Sequence, residues 1–194
     1  MARRGVAPDK KGALKTGRSI VFVDESGFML QPLVRATWAP KGCTPVLKSW
    51  DRHDRISALS AVTVSPRRRR LGLYFSLQRA NVKHGDVMTF LRSIRRHLGR
   101  RLIVVLDRLN AHRSAARKLE EESPGVYEFE WLPAYAPDLN PVEGVWNQTK
   151  YADLANAMPD DIESLGTDVH ESSEQTRSCN SLLKGFFRRA GLDL

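Results

Sequence analysis

Two short apolar runs, each followed directly by an aspartate, constrain the fold of this chain more than any other feature. The first run is residues 20–23, followed by Asp24, and the second is residues 102–106, followed by Asp107. The second run shows no polar alternation, which is typical of a strand buried on both faces by parallel pairing. Because open α/β sheets bind ligands at the carboxyl ends of their strands, we expect Asp24 and Asp107 to lie side by side there.

A third acidic residue, Glu143, stands at the predicted start of a helix, after the proline-rich segment 132–141. An ordinary helix start could explain Glu143 without any function. A capping box would be formed by Asn140 as N-cap, Pro141 at the first position and Glu143 three residues after the cap. Either aspartate taken alone could likewise cap a turn or helix. The three carboxylates together favour a site for a hard divalent cation such as Mg²⁺, which prefers oxygen ligands.

The composition fits one intracellular globular domain. The chain has 194 residues, of which 41% are hydrophobic, and it lacks both the roughly 20-residue apolar run of a membrane span and a signal peptide. Its formal charge of +9 suits a polyanionic partner. Cys43 and Cys179 lack metal-ligand spacing and are expected to be free thiols.

Hydrophobic periodicity and turn residues predict an alternation of strands and helices along the chain. Strands are predicted at residues 19–24, 34–39, 55–65, 71–77, 102–106 and 127–132. Helices are predicted at residues 85–98, at 114–122, from Pro141 onward, and as a pair after Pro159. We expect a basic arm or severed linker at 1–18, a catalytic domain at 19–158 and a helical extension at 159–194 that packs on it.

Four segments, in order, resemble the catalytic domain of DDE transposases of the Tc1/mariner superfamily, in particular their bacterial insertion-sequence branch. The segments are residues 22–28, 37–42 (a hairpin), 105–107 with 111–114, and 132–146, and 35 residues separate Asp107 from Glu143. The resemblance covers about residues 19–150. It implies an α/β, RNase H-like fold with a mixed β-sheet flanked by helices, and it assigns Asp24, Asp107 and Glu143 as the catalytic and metal-binding triad.

The resemblance also implies a reaction and its partners. Two Mg²⁺ ions, with Mn²⁺ as a substitute, would lie roughly 3.5–4 Å apart and assist cleavage and transfer of DNA strands. By the family analogy, Asp24 would bridge the ions, excision would occur at inverted terminal repeats and insertion at a TA dinucleotide. Double-stranded DNA is the expected partner, a homodimer is a further expectation, and the cytoplasm and bacterial nucleoid are the expected location.

The sequence departs from the family pattern in two places. Arg108, Leu109 and Asn110 follow the second aspartate, where members commonly have an asparagine directly. Full-length relatives also carry N-terminal helix-turn-helix modules, whereas only a short arm precedes Ser19 here. We therefore expect that an upstream or overlapping reading frame supplies such a module, or that the chain is a truncated relic.

Basic residues outside the triad are weaker candidates for contacts with DNA phosphates. They are Arg35, Lys41, Arg67, Arg68, Arg69, Arg70 and Lys150. His112 could orient a phosphate or a metal-bound water, although a histidine near a helix start is more often a cap or surface group. Trp38, Trp131 and Trp146 are expected to pack in the core or a hairpin rather than to stack on bases.

Three other functions compete with this interpretation. Another RNase H-like nuclease is one, although the proline-rich segment argues against it. A non-catalytic, DNA-binding transposase remnant is the second. A metal-dependent phosphatase is the most distant, because that class requires a second aspartate two residues after the first and Ser26 stands there.

Overall fold

A five-stranded mixed sheet forms the centre of the molecule. The computed structural model describes residues 13, 16–47, 54–192 and 194. The strands are β1 (Ser19–Met29), β2 (Arg55–Val64), β3 (Leu71–Gln78), β4 (Leu102–Leu106) and β5 (Tyr127–Trp131). Their order in the sheet is β3-β2-β1-β4-β5, in which β4 pairs in parallel with β1 and β5, and β2 pairs antiparallel with β1 and β3.

Five α-helices within residues 54–192 accompany the sheet. They are α1 (His84–Leu98), α2 (Asn110–Glu122), α3 (Val142–Gln148), α4 (Ile162–Ser178) and α5 (Asn180–Arg189). A 3₁₀ turn at Pro137–Leu139 precedes α3, and a π-helical turn at Thr149–Asp153 follows it. The apolar residues of α1 recur at three- and four-residue spacing, so one face is buried. Gly99 then ends α1 with a left-handed φ of 63°, which glycine adopts without strain.

The central strands are apolar throughout because both faces of the sheet are covered. Successive strand residues point to opposite faces, so Val21 packs in the cluster under α1 and α2, whereas Phe22 packs under α3, α4 and α5. The ring of Phe22 meets that of Phe187 on α5 edge to face, with centroids 5.7 Å apart. The helices α4 and α5 therefore help to build one of the two cores.

The structure confirms most of the predicted elements, including the buried parallel strand β4, and corrects four. β1 does not end at Asp24 but continues to Met29, because residues 24–29 pair with β2. Residues 34–39 form no strand, and residues 37–42 form only a turn in which the N–H of Cys43 donates to Pro40 O. α2 begins at Asn110, one turn before the predicted start.

The predicted arm at 1–18 lies largely outside the described residues. Of its described part, Ala13 is buried in the core and the Arg18 side chain pairs with Glu128 at 2.5 Å. Both Cys43 and Cys179 are free thiols. None of the helices within the described ranges combines the length and apolar character that a membrane span needs.

Candidate active site

The pairing register places Asp24 and Asp107 next to each other. β1 and β4 are paired from Ser19↔Leu102 to Phe22↔Val105, and the chain leaves the sheet after Leu106. Continuing this register brings Asp24 opposite Asp107. β1 itself runs on beside β2, with Asp24 opposite Ser60. The early end of β4 therefore opens a gap beside β1, and both carboxylates lie at its edge.

The proline-rich segment delivers Glu143 to the same gap. The N–H of Leu132 donates to Leu106 O at 2.8 Å, which holds the start of the segment against β4. At its other end the buried side chain of Asn140 donates to Val23 O (3.3 Å) and accepts the N–H of Val142 (3.2 Å). Asn140 thus fastens the start of α3 to β1 at the residue before Asp24.

The predicted capping box is absent from this helix start. The N–H of Asn140 donates to Pro137 O at 2.8 Å, so it is engaged by the 3₁₀ turn rather than by the Glu143 side chain. Asp24, Asp107 and Glu143 instead line one cleft of about 460 Å³, whose wall includes Arg108 and the segment 132–137. The structure therefore brings the three predicted residues to one cleft and leaves Glu143 without a helix-capping role.

The pKa of Asp24 is strongly raised in this cleft. Burial, and then the negative charges of Glu143, Glu25 and Asp107, raise its pKa to about 7. The indole N–H of Trp146 donates to Asp24 Oδ2 at 3.2 Å and partly offsets this rise. Burial also raises the pKa of Glu143, against the opposing influence of Lys150. A bound cation would relieve the repulsion between these neighbouring carboxylates.

His112, a predicted candidate for a phosphate contact and otherwise expected as a cap or surface group, is buried and links Asp107 to Glu25. Its side chain is 0% exposed, and its Nδ1 lies 2.5 Å from Asp107 Oδ1 and its Nε2 2.8 Å from Glu25 Oε2. Burial alone would lower the pKa of His112, but the two carboxylates outweigh it and raise the pKa to about 9. His112 is therefore a buried imidazolium that holds one oxygen of Asp107.

Asp107 is held in its ionised form by the same contacts. Burial would raise its pKa, but the bonds from His112 and from the N–H of Leu109 (3.1 Å) outweigh it, and the pKa lies below its usual range. The two aspartates of the cleft thus differ, since Asp107 stays charged and Asp24 retains a proton more readily. Such divergence between neighbouring acids is common at catalytic sites.

Lys150 reaches the cleft region from the π-helical turn, seven residues after Glu143. Its Nζ donates to Ser26 Oγ at 2.6 Å and lies 5.2 Å from the centroid of the Phe28 ring. Burial lowers the pKa of Lys150, whereas the charges of Glu143 and Asp24 act in the opposite direction. Of the predicted DNA-contact residues, Lys150 and His112 are the two that the structure couples to the carboxylates.

The other predicted DNA contacts lie away from the carboxylates. The N–H of Arg35 donates to Asn156 Oδ1 at 2.8 Å, its guanidinium covers the Tyr151 ring, and Lys41 lies on the exposed loop that follows. Residues 67–70 form the β2–β3 turn, which adjoins the opposite end of β1. Trp38 is 99% exposed, so its predicted packing is wrong, whereas Trp146 is 4% exposed and buried as predicted.

Sequence reasoning missed Glu25, the burial of His112 and the Asn140 side-chain bridge. A signal for His112 was present, because His112, Ala115, Ala116 and Leu119 follow the spacing of one buried helix face. Glu25 gave no such signal. Glu25 follows Asp24 in the chain and belongs to β1, which continues through it. Its carboxylate contacts His112.

The donor chemistry of the cleft suits a hard divalent cation, since three carboxylates provide only oxygen ligands. Their arrangement is open. Within the described ranges no three histidine, cysteine or acidic side chains are already grouped closely enough to hold an ion. The predicted close approach of the carboxylate oxygens is therefore not formed in this structure, and one oxygen of Asp107 is engaged by His112.

Comparison with solved structures identifies the fold. The chain is similar to the catalytic domain of Mos1 mariner transposase, with a TM-score of 0.52 and 18% identity over 94% of this chain and 85% of that one. It is also similar to a pre-cleavage Mos1 transpososome (TM-score 0.64, 18% identity, 94% of this chain and 54% of that one). A Mos1 paired-end complex with Mn matches likewise (TM-score 0.60, 19% identity, 92% of this chain and 52% of that one).

These likenesses establish the predicted RNase H-like fold, a mixed sheet flanked by helices. The chain spans about half the length of the transposase chains in the two complexes. A search of curated proteins finds no match. At the level of sequence, a family model described as DDE superfamily endonuclease matches residues 19–166, which include Asp24, Asp107 and Glu143. The chain therefore belongs to the DDE superfamily endonuclease family.

Proposed function

We propose that this chain is the catalytic domain of a transposase that cleaves DNA strands and transfers them, with divalent metal ions bound by Asp24, Asp107 and Glu143. The observation that carries the proposal is the cleft that is lined by Asp24 within β1, Asp107 directly after β4 and Glu143 at the start of α3. Burial and then the neighbouring carboxylates raise the pKa of Asp24 to about 7, and a divalent cation held there would favour its ionised form.

The metal would be Mg²⁺, with Mn²⁺ as a substitute. Complexes of Mos1 have been crystallised with Mn and with Mg, and the carboxylates of this chain provide the same class of hard ligand. When bound, a pair of such ions activates the attacking oxygen and stabilises the leaving oxygen of a phosphodiester. The protein itself fixes where the carboxylates stand through β1, β4 and the Asn140 bridge.

The surrounding residues have separable roles in this proposal. His112 holds Oδ1 of Asp107 at 2.5 Å, and the other carboxylate oxygen would bind the metal. Lys150 provides a positive charge beside Glu143, which limits the repulsion around the cleft and could contact a phosphate. Arg108 lines the cleft and stands where it would meet a DNA backbone.

We further propose the nature of the partners. The substrate is double-stranded DNA at insertion-sequence ends, with a helix-turn-helix module encoded upstream or in another frame to recognise those ends and with assembly as a homodimer. Arg35 and Lys41 on the loop after β1 are candidate contacts with that DNA. We place the activity in the bacterial cytoplasm, at the nucleoid.

The proposed domain organisation keeps residues 19–158 as the catalytic domain and residues 159–194 as an extension that packs on it. In support, α4 contributes Leu165 and Val169, and α5 contributes Leu183 and Phe187, to the core on one face of the sheet. Removal of these helices would expose that face. The extension therefore has a structural role in this proposal rather than a chemical one.

Replacement of Glu143 by glutamine tests the mechanism directly. The substitution keeps the size of the side chain and removes the charge that a divalent ion needs. We expect Mg²⁺- or Mn²⁺-dependent nicking of insertion-sequence-end DNA to fall by at least about 100-fold, while circular dichroism and thermal unfolding change little. Glu120→Gln, an exposed glutamate on α2, is the matched control and should cleave like the wild type.

The outcomes separate the competing functions. Equal cleavage by the wild type and Glu143→Gln would show that the assigned triad is wrong. If the wild type never cleaves, even with the recognition module present, but still binds DNA, the chain is a non-catalytic remnant. Since Glu143 forms no capping box, Glu143→Ala should also fold normally and lose cleavage.

A further inference from the structure

A basic groove lies at the end of the sheet opposite the carboxylate cleft. Its two lips are the β2–β3 turn at residues 65–70 and the loop at residues 99–101 between α1 and β4. Register fixes their position, because Val64 pairs with Ile20 and Leu102 pairs with Ser19, whereas Asp24 lies further along β1. The five-residue step from Ser19 to Asp24 spans about 17 Å at roughly 3.3 Å per residue.

The first lip is a turn whose backbone is tied at several points. The N–H of Arg68 donates to Ser65 O (2.7 Å), and the N–H of Ser65 donates to Arg70 O (2.9 Å). The N–H of Arg70 also donates to Ser65 Oγ at 3.0 Å, and Arg68 adopts a left-handed φ of 54°. Arg67, Arg69 and Arg70 are therefore exposed from a fixed backbone rather than from a loose loop.

The second lip is fixed by the end of α1. Gly99 closes that helix, and the Nε of Arg100 donates to Leu98 O at 3.2 Å. The ring of His97 packs edge-on against Tyr74, with centroids 5.5 Å apart, and joins the lip to the floor of the groove. Arginine side chains from two separate segments thus face one space of about 810 Å³.

The lining of this groove is complementary to a polyanion. It includes Arg67, Arg69, Arg70 and Arg100 together with the hydroxyl groups of Ser65 and Tyr74. Among the described residues that line it, none is an aspartate or glutamate. Glu128 and Glu122, acidic residues on β5 and α2, are paired with Arg18 and Arg92. Planar guanidinium groups bind phosphate oxygens in pairs, and hydroxyl groups add donors to the same oxygens.

We propose that this groove is a second, non-catalytic DNA-binding surface that grips the phosphate backbone of a duplex about half a helical turn or more from the cleft. The choice of DNA rests on the proposed function of the cleft. Since each strand of a duplex advances about 3.4 Å per phosphate, the roughly 17 Å between Ser19 and Asp24 corresponds to about five base pairs. The groove therefore retains DNA without taking part in cleavage.

The test compares two triple variants of the full chain with equal loss of charge. One is Arg67→Gln, Arg69→Gln and Arg70→Gln in the groove. The control is Lys184→Gln, Arg188→Gln and Arg189→Gln, three exposed residues of α5, which packs on the other face of the sheet from α1. Binding of a fluorescent 30-base-pair duplex is followed by anisotropy in EDTA, so that no cleavage is required.

We expect the groove variant to bind at least 10-fold more weakly than the wild type at about 100 mM salt, with a slope of log K against log salt smaller by about 2–3 because two or three phosphate contacts are lost. The α5 control should change affinity by less than 3-fold. Equal losses in both variants would show general charge attraction and would overturn the proposal. So would unchanged binding by the groove variant.

Two further variants keep the test decisive if the triple variant folds poorly. Arg100→Gln alone, on the other lip, should weaken binding by about 3-fold or more, and replacement of Arg67, Arg69 and Arg70 by lysine should retain most of the affinity. Unchanged binding by Arg100→Gln would contradict the proposal. Glu143→Gln changes the cleft alone, so it should lose cleavage and still bind DNA normally. The proposed function of the cleft and the proposed role of the groove can therefore fail independently of each other.

Discussion

The protonation of Asp24 couples the charge of the cleft to the stability of the protein. The pKa of Asp24 is raised from 3.8 to about 7, first by burial and then by Glu143, Glu25 and Asp107. Between about pH 4 and pH 7 the native state binds a proton that the unfolded chain releases, so this group lowers stability as the pH rises. Above pH 7 the native state bears the full cost of the ionised carboxylate.

Replacement of Asp24 by asparagine should therefore stabilise the metal-free protein at pH 8, by about 2–4 kcal/mol. Asparagine keeps an oxygen that can accept the N–H of Trp146. Urea unfolding in EDTA at pH 4.5, 6 and 8 measures the effect, which should shrink toward the lowest pH. A variant no more stable than the wild type at pH 8 would show that burial and the neighbouring carboxylates do not disfavour the ionised form of Asp24 as described.

His112 has the opposite dependence on pH. Its pKa is raised from 6.5 to about 9 by the Asp107 and Glu25 carboxylates, which outweigh burial. The stabilisation is complete below about pH 6.5 and is lost as the pH rises through about 9. His112→Ala should lower the free energy of unfolding by about 3–5 kcal/mol at pH 6, because two carboxylates lose their buried partner.

The same unfolding measurement at pH 6 and pH 10 checks this prediction, since the difference from the wild type should be smaller at pH 10. The control is His170→Ala, which removes an exposed imidazole that packs on the Phe75 ring and should cost less than about 1 kcal/mol. A pH-independent loss in His112→Ala would indicate a cavity effect rather than loss of an ion pair.

At the scale of elements, prediction from sequence succeeded where one local pattern decides the outcome. Residues 102–106 are uniformly apolar because β4 is covered on both faces, and residues 85–98 show the spacing of one buried helix face. Prediction failed where pairing between strands decides whether a segment forms a strand. Glu25-Ser26-Gly27 looks like a turn, yet the backbone groups pair with β2. Residues 34–39 look like a strand, yet no strand in the described part of the chain pairs with them.

The candidate site divides in the same way. The identities of Asp24, Asp107 and Glu143 could be predicted because each follows a readable local signal, an apolar run or a proline-rich helix start. The partners of these carboxylates could not be predicted from local signals. His112 is 5 residues from Asp107, and Trp146 is 122 residues from Asp24. Glu25 takes part only because β1 continues past Asp24. Only the three-dimensional packing of α2 and α3 on the sheet makes those contacts.

The contact between α3 and α5 depends on the absence of a side chain at Gly144. A methyl group added there would lie 2.5 Å from Cδ1 of Phe186, closer than real contacts allow. We expect Gly144→Ala to destabilise the protein by about 1–3 kcal/mol and to displace the helix that presents Glu143. Chemical unfolding gives the stability, and nicking activity reports the position of Glu143.

A matched control is available on the facing helix. An alanine side chain at Gly185 would have no atom within 4 Å, so Gly185→Ala should be neutral or stabilising by up to about 1 kcal/mol, as expected for an exposed helix position. Adding Phe186→Leu to Gly144→Ala should recover part of the lost stability by relieving the clash. If Gly144→Ala is as stable as the wild type, α3 does not pack on α5 as described.

At the scale of the whole molecule, charge is separated between the two ends of the sheet. The chain has a formal charge of +9, yet the carboxylates line a cleft at the carboxyl end of β4, whereas the arginine-lined groove lies at the amino ends of β1 and β4. A DNA-binding enzyme needs both features, because the backbone must be attracted to the surface and the cation must be held at the reacting phosphate. Separation keeps the two from neutralising each other.

The carboxylate cleft also joins segments that are distant in the chain, so ion binding should stabilise the fold as a unit. β1, the residue directly after β4 and α3 each contribute one ligand candidate, and unfolding disperses all three. At an ion concentration 100 times the dissociation constant, the expected gain is about 2.7 kcal/mol, which for a chain of this size raises the thermal midpoint by about 5–10 °C. Thermal unfolding in EDTA and in graded Mg²⁺ or Mn²⁺ measures it.

Asp24→Asn and Glu143→Gln should each lose most of this rise, whereas Glu120→Gln should keep it. Because Asp24→Asn begins from a higher stability in EDTA, the informative quantity is the increment produced by the ion rather than the midpoint itself. A full increment in Glu143→Gln would place the ion elsewhere in the molecule. The same increment with Na⁺ at equal ionic strength would show that general screening of the carboxylates, rather than a divalent site, relieves their repulsion.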